Sequence, residues 1–333
     1  MLIDAHLDLA YNAVLRGRDV TKPASEQPVV ENEIATVGLP DLLDAGATHI
    51  FATIFCQPQS SRHAGYITPD EAFDQALAQL GYYRRLADRN LINIPWSSSS
   101  SKSTGPITTT LLLEGADAIR DEADLDMMYR EGVRIVGLSW SRTRFAGGTG
   151  APGPVTDLGK QLIKWLDSRH ILHDASHLSD TSFWDLMGLS SKMVIASHSN
   201  CRTIVGQDIR QRHLTDEMIS AIAERGGVIG INFFDRFLLP HEQYGRRRAT
   251  LGDVVAHIRR ICDLTQSTNF VGIGTDMDGG LGREQIPQDI TTAADLPRVR
   301  DTLARAGFST PDIDKIMFAN WRRVLDTLTP EVK

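Results

Sequence analysis

Eight short apolar runs, alternating with stretches of helical period, constrain this chain more than any other feature of it. Runs with strand composition are Leu2 to Leu7, His49 to Phe55, Thr108 to Leu113, Val133 to Leu138, Ile171 to Ala175, Met193 to Ala196, Val228 to Ile231 and Phe270 to Ile273. Amphipathic spacing predicts helices over Asp70 to Arg89, Leu158 to Ser168, Asp216 to Arg225 and Leu251 to Thr265, with Asp312 to Leu328 closing the chain. A helix between two strands returns the chain to its starting end, so successive strands run parallel. Eight such units predict an α/β fold, a TIM (β/α)8 barrel. No break in composition divides them, and residues 1–333 are expected to form one catalytic barrel domain.

Two stretches interrupt the alternation. Trp96 to Pro106, with the serine run Ser97 to Ser101, reads as a surface loop of low complexity. Phe145 to Pro154, with Gly147, Gly148, Gly150 and Gly153, follows the fourth strand and reads either as a lid or as an irregular connection.

Charge and cysteine usage narrow the function classes. A formal charge of -7 with no long Lys/Arg run argues against nucleic acid, and Arg246-Arg247-Arg248, the densest basic cluster, reads as a solvated loop. No apolar run reaches the roughly 18 residues of a membrane span, and the first residues enter a strand without a charged leader. Cys56, Cys201 and Cys262 are odd in number and lack a C-x-x-C pair, which fits free thiols in a reducing compartment, so a cytoplasmic location is expected. Neither a P-loop nor a dinucleotide fingerprint is present.

In a barrel of this kind chemistry gathers where strands end, so the last residues of each run form a candidate list. His6 and Asp8 are two apart and would leave the same face of an extended segment. Glu114 follows Leu111-Leu112-Leu113, His177 ends His173-Asp174-Ala175-Ser176-His177, His198 sits in Ser197-His198-Ser199, and Asp276 and Asp278 follow the eighth run. Three imidazoles with several carboxylates exceed the needs of one zinc and suit two metals. Glu114 is placed to bridge them together with a hydroxide, and Asp276 is left to take and return protons. His173, four before His177, is expected on the same face but deeper, and is left out of the ligand set. His49, His63, His170, His213, His241 and His257 lack strand-end positions and read as surface or packing residues, while Asp278 reads either as a metal or substrate ligand or, preferred, as a cap of the turn before Gly279-Gly280.

The order and spacing of His6-x-Asp8, Leu-Leu-Glu114-Gly115, Asp-x-x-His177, Ser-His198-Ser and Gly-x-Gly-Thr-Asp276-Met-Asp278-Gly resemble the membrane dipeptidase (renal dipeptidase, peptidase M19) family. Thr156-Asp157-Leu158-Gly159 and Asn320-Trp321-Arg322-Arg323-Val324 agree with it. The resemblance implies a metal-dependent amidohydrolase-type barrel holding two zinc ions, one on His6, Asp8 and Glu114 and the other on Glu114, His177 and His198. It implies Asp276 as proton shuttle, Arg212 as the grip on the substrate's terminal carboxylate, and a homodimer. The expected activity is zinc-dependent hydrolysis of small dipeptides through a metal-bridging hydroxide.

Two positions depart from the pattern. Trp140, in Gly137-Leu138-Ser139-Trp140-Ser141, stands where the family has a substrate-contacting histidine, and Phe237 stands where it has a tyrosine. An indole cannot become a cation, so oxyanion stabilisation is expected to fall to zinc with Arg142 or Arg144. Trp140 also supports an alternative, a binuclear amidohydrolase acting on N-acyl amino acids or other small carboxylated amides. A third reading is a catalytically silent metal-binding protein.

Overall fold

The computed structural model describes residues 1–60, 64–97 and 105–328, so His63 and the serines from 98 to 101 lie outside the described residues. Its eight strands are β1 (Leu2–Leu7), β2 (Ala47–Phe55), β3 (Thr108–Glu114), β4 (Val133–Gly137), β5 (Leu172–Asp174), β6 (Val194–Ile195), β7 (Ile229–Ile231) and β8 (Val271–Ile273). All pairings are parallel, in the order β6-β5-β4-β3-β2-β1-β8-β7. The two ends meet: Ala196 N donates to Val228 O at 3.0 Å, and Gly230 N donates to Ala196 O at 2.8 Å. The sheet is therefore the expected TIM barrel. β5 and β6 stop short of their apolar runs because the Asp174 carboxylate takes the backbone N–H groups of Ser176 (3.0 Å) and Ser197 (2.9 Å).

Helices cover the outside of the sheet. The longest, Pro69–Asp88, starts with a reciprocal cap between Thr68 and Glu71 and buries Ala72, Ala76, Leu80 and Tyr83 at helical spacing. No helix among the described residues is long and apolar enough to cross a membrane.

Inside the barrel lies an apolar layer to which six strands contribute, with Ile3 and Ala5, Phe51, Leu112, Ile135, Leu172 and Ile195, joined by Val228 just before β7. Trp321 and Val324 close its base from the C-terminal segment. The sequence predicts one helix over Asp312 to Leu328, whereas the structure has Thr310–Asp314, a widened π turn over Lys315–Ala319, and Asn320–Asp326. A widened turn shifts the buried face of a helix. Here it lets Ile316 and Met317 pack in the outer layer while Trp321 enters the barrel, its Nε1 donating to Ile273 O at 2.9 Å. β8 makes room with Gly272, where a Cβ would stand 2.2 Å from that indole.

β1 carries an irregularity with consequences at the mouth. Asp4 pairs with Ile50 but Leu7 with Ala52, so β1 uses three steps where β2 uses two. Ile3 and Ala5 join the inner layer, and the slip then lets His6 face inward as well.

Of the two readings for Phe145 to Pro154, the structure gives a packed connection. Gly147 N donates to Ser182 Oγ (3.0 Å), Ser139 Oγ donates to Gly147 O (3.2 Å), and Gly150 N donates to Arg210 O (2.8 Å). A Cβ at Gly148 would stand 2.1 Å from Ser141 O, so this close approach requires glycine.

Trp321→Ala is expected to cost about 3–5 kcal/mol of stability, the range for deleting a buried aromatic ring. Urea unfolding measures it, and a loss below about 1 kcal/mol would show that the base is not held by this ring.

Candidate metal centre

Six side chains converge at the C-terminal mouth. His6 arrives through the slip in β1. Asp8 is not in the strand but at the turn into the helix Leu9–Arg16, where the Thr53 hydroxyl holds its carboxylate, so simple alternation from His6 does not place it. Glu114 is the last residue of β3, His177 follows β5 and His198 follows β6. Glu114 Oε1 lies 3.1 Å from His177 Nε2 and 3.3 Å from His198 Nε2, and its Oε2 lies 3.5 Å from His6 Nε2. Asp276 Oδ1 stands 4.0 Å from His6 Nε2. Three sets have donor atoms mutually within 4.8 Å: His6, Asp8 and Glu114; Glu114, His177 and His198; and His6, His198 and Asp276. The first two share Glu114 and are the sets expected from sequence; the third was not anticipated.

Hydrogen bonds behind the rings fix which nitrogen faces inward. Ser197 Oγ donates to Asp174 Oδ2 at 2.5 Å and lies 3.1 Å from His6 Nδ1 and 2.8 Å from His198 Nδ1. A hydroxyl has one hydrogen and two lone pairs. With the hydrogen committed to Asp174, the lone pairs accept Nδ1–H from both rings, and both Nε2 lone pairs face the cluster. His177 Nδ1 lies 3.0 Å from Thr149 Oγ1. Thr149 Oγ1 donates to His177 O, so it accepts from Nδ1 in the same way.

This arrangement fits a cation. His177 Nε2 and His198 Nε2 are 2.9 Å apart, and His6 Nε2 is buried without a hydrogen-bond partner. Bare nitrogens facing one another and a carboxylate repel unless a positive charge stands between them. Burial pushes His177 and His198 well below the ordinary imidazole range, which favours the neutral form a metal needs. Burial also lifts Glu114 to about 8 and, with the nearby Glu114 charge, Asp8 to about 6, and it lifts Asp276 well above the carboxylate range. Carboxylates so short of solvation are stabilised by bound cations.

Asp276 is held by its neighbours. Asn232 Nδ2 donates to its Oδ2 at 2.8 Å, its own N–H donates to His6 O at 3.2 Å, and a Cβ at Gly279 would stand 1.9 Å from its Oδ1. Asp276 and His177 both have left-handed backbones, at φ 58 and 69. Asn232 follows β7 as a neutral amide, so a strand-end list of histidines and acids does not contain it.

Several expectations are corrected. Asp278 does not cap the following turn: its carboxylate accepts from Thr36 N (2.8 Å), Thr36 Oγ1 (2.7 Å) and Val37 N (3.2 Å) and pairs with buried Arg18 at 3.1 Å. His173 faces the helical layer, its Nε2 2.7 Å from Asp167 Oδ1, because the chain leaves the strand after Asp174 and alternation no longer links it to His177. Arg142 and Arg144 are committed to the carbonyls of Pro152 and Ile119, so neither is directed to the mouth as an oxyanion donor.

Two cavities flank the cluster, and Trp140, His177, Phe234 and Phe237 line both. The first, about 320 Å³, reaches Asp8, Glu114 and Asp276. The second, about 660 Å³, is lined by Arg212. Trp140 is 36% exposed, with its ring 5.3 Å from Phe55 and 5.9 Å from His177. Arg212 is 4% exposed and donates to His198 O (2.7 Å) and Ser199 Oγ (3.2 Å), while its Nε has no partner. Among the described residues no carboxylate pairs with it.

A family model described as membrane dipeptidase (Peptidase family M19) matches residues 1–330. An uncharacterized protein in the pqqA 5' region of Klebsiella pneumoniae is 34% identical over 225 residues, 64% of this chain and 79% of that protein. An uncharacterized dipeptidase of Schizosaccharomyces pombe is 24% identical over 272 residues, 77% of this chain and 63% of its own length. Among solved structures, a dipeptidase described as a metallo peptidase of family M19 superposes with a TM-score of 0.80 at 25% identity, covering 98% of each chain. A metallo peptidase from Rhodobacter sphaeroides, liganded with a phosphinate mimic of the dipeptide L-Ala-D-Ala, gives 0.81 at 24% identity, over 98% of this chain and 99% of that one. With a family match running from the first strand past the helix that closes the barrel base, this chain is a metallo-dipeptidase and belongs to the membrane dipeptidase family, peptidase family M19.

Proposed function

We propose that this enzyme hydrolyses the amide bond of small dipeptides with two zinc ions, a reading carried by one observation: Glu114 belongs to two three-donor sets at once. His6, Asp8 and Glu114 would hold one ion, and Glu114, His177 and His198 the other. Imidazole nitrogens combined with carboxylate oxygens suit zinc. When bound, the ions supply Lewis-acid polarisation of the scissile carbonyl and lower the pKa of water toward neutrality.

The chain's own residues bind, orient and move the proton. Arg212 takes the substrate's terminal carboxylate: a buried guanidinium with an unused N–H and no ion-paired carboxylate among the described residues forms a strong charge-assisted pair with one. Trp140 lays its ring along the boundary of the two cavities and limits how the peptide crosses the cluster. Asn232 holds Asp276 Oδ2, which leaves Oδ1 to accept the proton of the attacking water as the new C–O bond forms. The same oxygen returns that proton to the amide nitrogen as the C–N bond breaks; a free amine and a carboxylic acid leave, and the acid gives the water's second proton to solvent as it becomes a carboxylate.

Asp276→Asn is expected to retain metal by elemental analysis and lose at least about 100-fold in kcat, the usual contribution of a positioned acid–base group. An unchanged kcat would remove Asp276 from this role. Chelation is expected to abolish dipeptide cleavage and zinc to restore it at about two equivalents per chain; two bound metals with cleavage of N-acyl amino acids alone would replace the dipeptide reading. Ser197→Ala, which frees the outer nitrogens of His6 and His198, is expected to weaken zinc binding about 10–100-fold in a chelator competition while far-UV circular dichroism stays unchanged.

A further inference from the structure

The two cavities beside the cluster have opposite electrostatic character. Beyond the cluster's own carboxylates, the smaller one is lined by Glu31 and Glu33, and its one cation, Arg16, pairs with both, at 3.5 and 2.7 Å. The larger one is lined by Arg210, Arg212 and Arg236. Its one carboxylate, Asp208, is already engaged, accepting from His213 N at 2.8 Å and lying 3.5 Å from Arg202 Nε. Arg210 and Arg236 are exposed, and among the described residues neither has an acidic partner. Arg210 lies against Gly150, where a Cβ would come within 3.0 Å of its guanidinium, and Arg236 lies over the Tyr244 ring at 5.7 Å. Burial above all, then the charge of Arg212 and more weakly that of Arg236, holds His213 well below its ordinary range at this wall. The lobe therefore carries three arginines, none of which forms an ion pair with a carboxylate among the described residues.

Opposite charge in the two lobes orients a dipeptide across the cluster. Its amino end belongs on the acidic side and its C-terminal residue on the basic side. One arginine answers one terminal carboxylate, which leaves two over. We propose that this lobe is a side-chain subsite in which Arg212 takes the terminal carboxylate while Arg210 and Arg236 take a second carboxylate, on the side chain of a C-terminal aspartyl or glutamyl residue. The inference rests on the dipeptide reading above and narrows it to acidic C-terminal residues. Exposed arginine–carboxylate pairs are individually modest, so preference requires both arginines together.

The test compares kcat/KM of the zinc-loaded enzyme for Ala-Glu and Ala-Gln, which differ in charge at nearly equal shape. The wild-type enzyme is expected to favour Ala-Glu by about tenfold, a typical gain for charge-assisted over neutral hydrogen bonding. Arg210→Ala with Arg236→Ala brings that ratio toward one, and Arg236→Glu lowers it further. A wild-type ratio near one, or a ratio that the double substitution leaves in place, overturns the proposal. If the zinc-loaded enzyme cleaves no dipeptide, the functional reading falls, and calorimetry with glutarate against pentanoate decides the subsite alone. Tighter glutarate binding that the double substitution removes supports it; equal binding of the two acids overturns it.

Discussion

The hydrogen bond from Ser197 Oγ to Asp174 is the contact on which the mouth depends. It stands where β5 and β6 would otherwise continue their ladder, and the same carboxylate takes the N–H groups of Ser176 and Ser197. By using the serine's one hydrogen it also dictates that two histidines present bare Nε2 nitrogens to the cluster. A backbone decision and a ligand decision are thus made by a single carboxylate. Removing it would loosen the ends of β5 and β6 and the tautomers of His6 and His198 together, since these share the one acceptor.

Stability and chemistry occupy opposite ends of the same barrel. The base is closed by Trp321 against Gly272 and by one apolar layer drawn from most of the strands. At the mouth the chain accepts unfavourable features: left-handed backbones at His177 and Asp276, each costing about 1–2 kcal/mol for an ordinary side chain, and buried carboxylates short of solvation. Such features persist where the surrounding framework over-determines them, and the parallel sheet with its packed base is that framework.

The fold and the members of the cluster were legible in the sequence for related reasons. Apolar runs alternate with helical periods over the whole chain, and histidines or acids follow five of the eight runs. What could not be read was direction. Alternation puts Ile3, Ala5 and Leu7 on one face, and only the slip against β2 brings His6 to the inside as well. The same rule carried His173 to the wrong face, because the strand ends three residues before His177. Asp278 looks like a turn residue until Thr36, Val37 and Arg18 arrive from far along the chain, and Asn232 and Ser197 act through hydrogen bonds that leave no periodic trace.

The glycine-rich connection after β4 ties two parts of the mouth into one body. Thr149 braces the outer nitrogen of His177, and the next residue, Gly150, donates its N–H to the carbonyl of Arg210. The backbone beneath the basic lobe and the orientation of a cluster histidine are therefore set by adjacent residues of one short segment. Side chains at position 210 can be exchanged without disturbing that brace. A change in the length of the segment cannot, because it would shift the floor of the lobe and the His177 ring in the same movement.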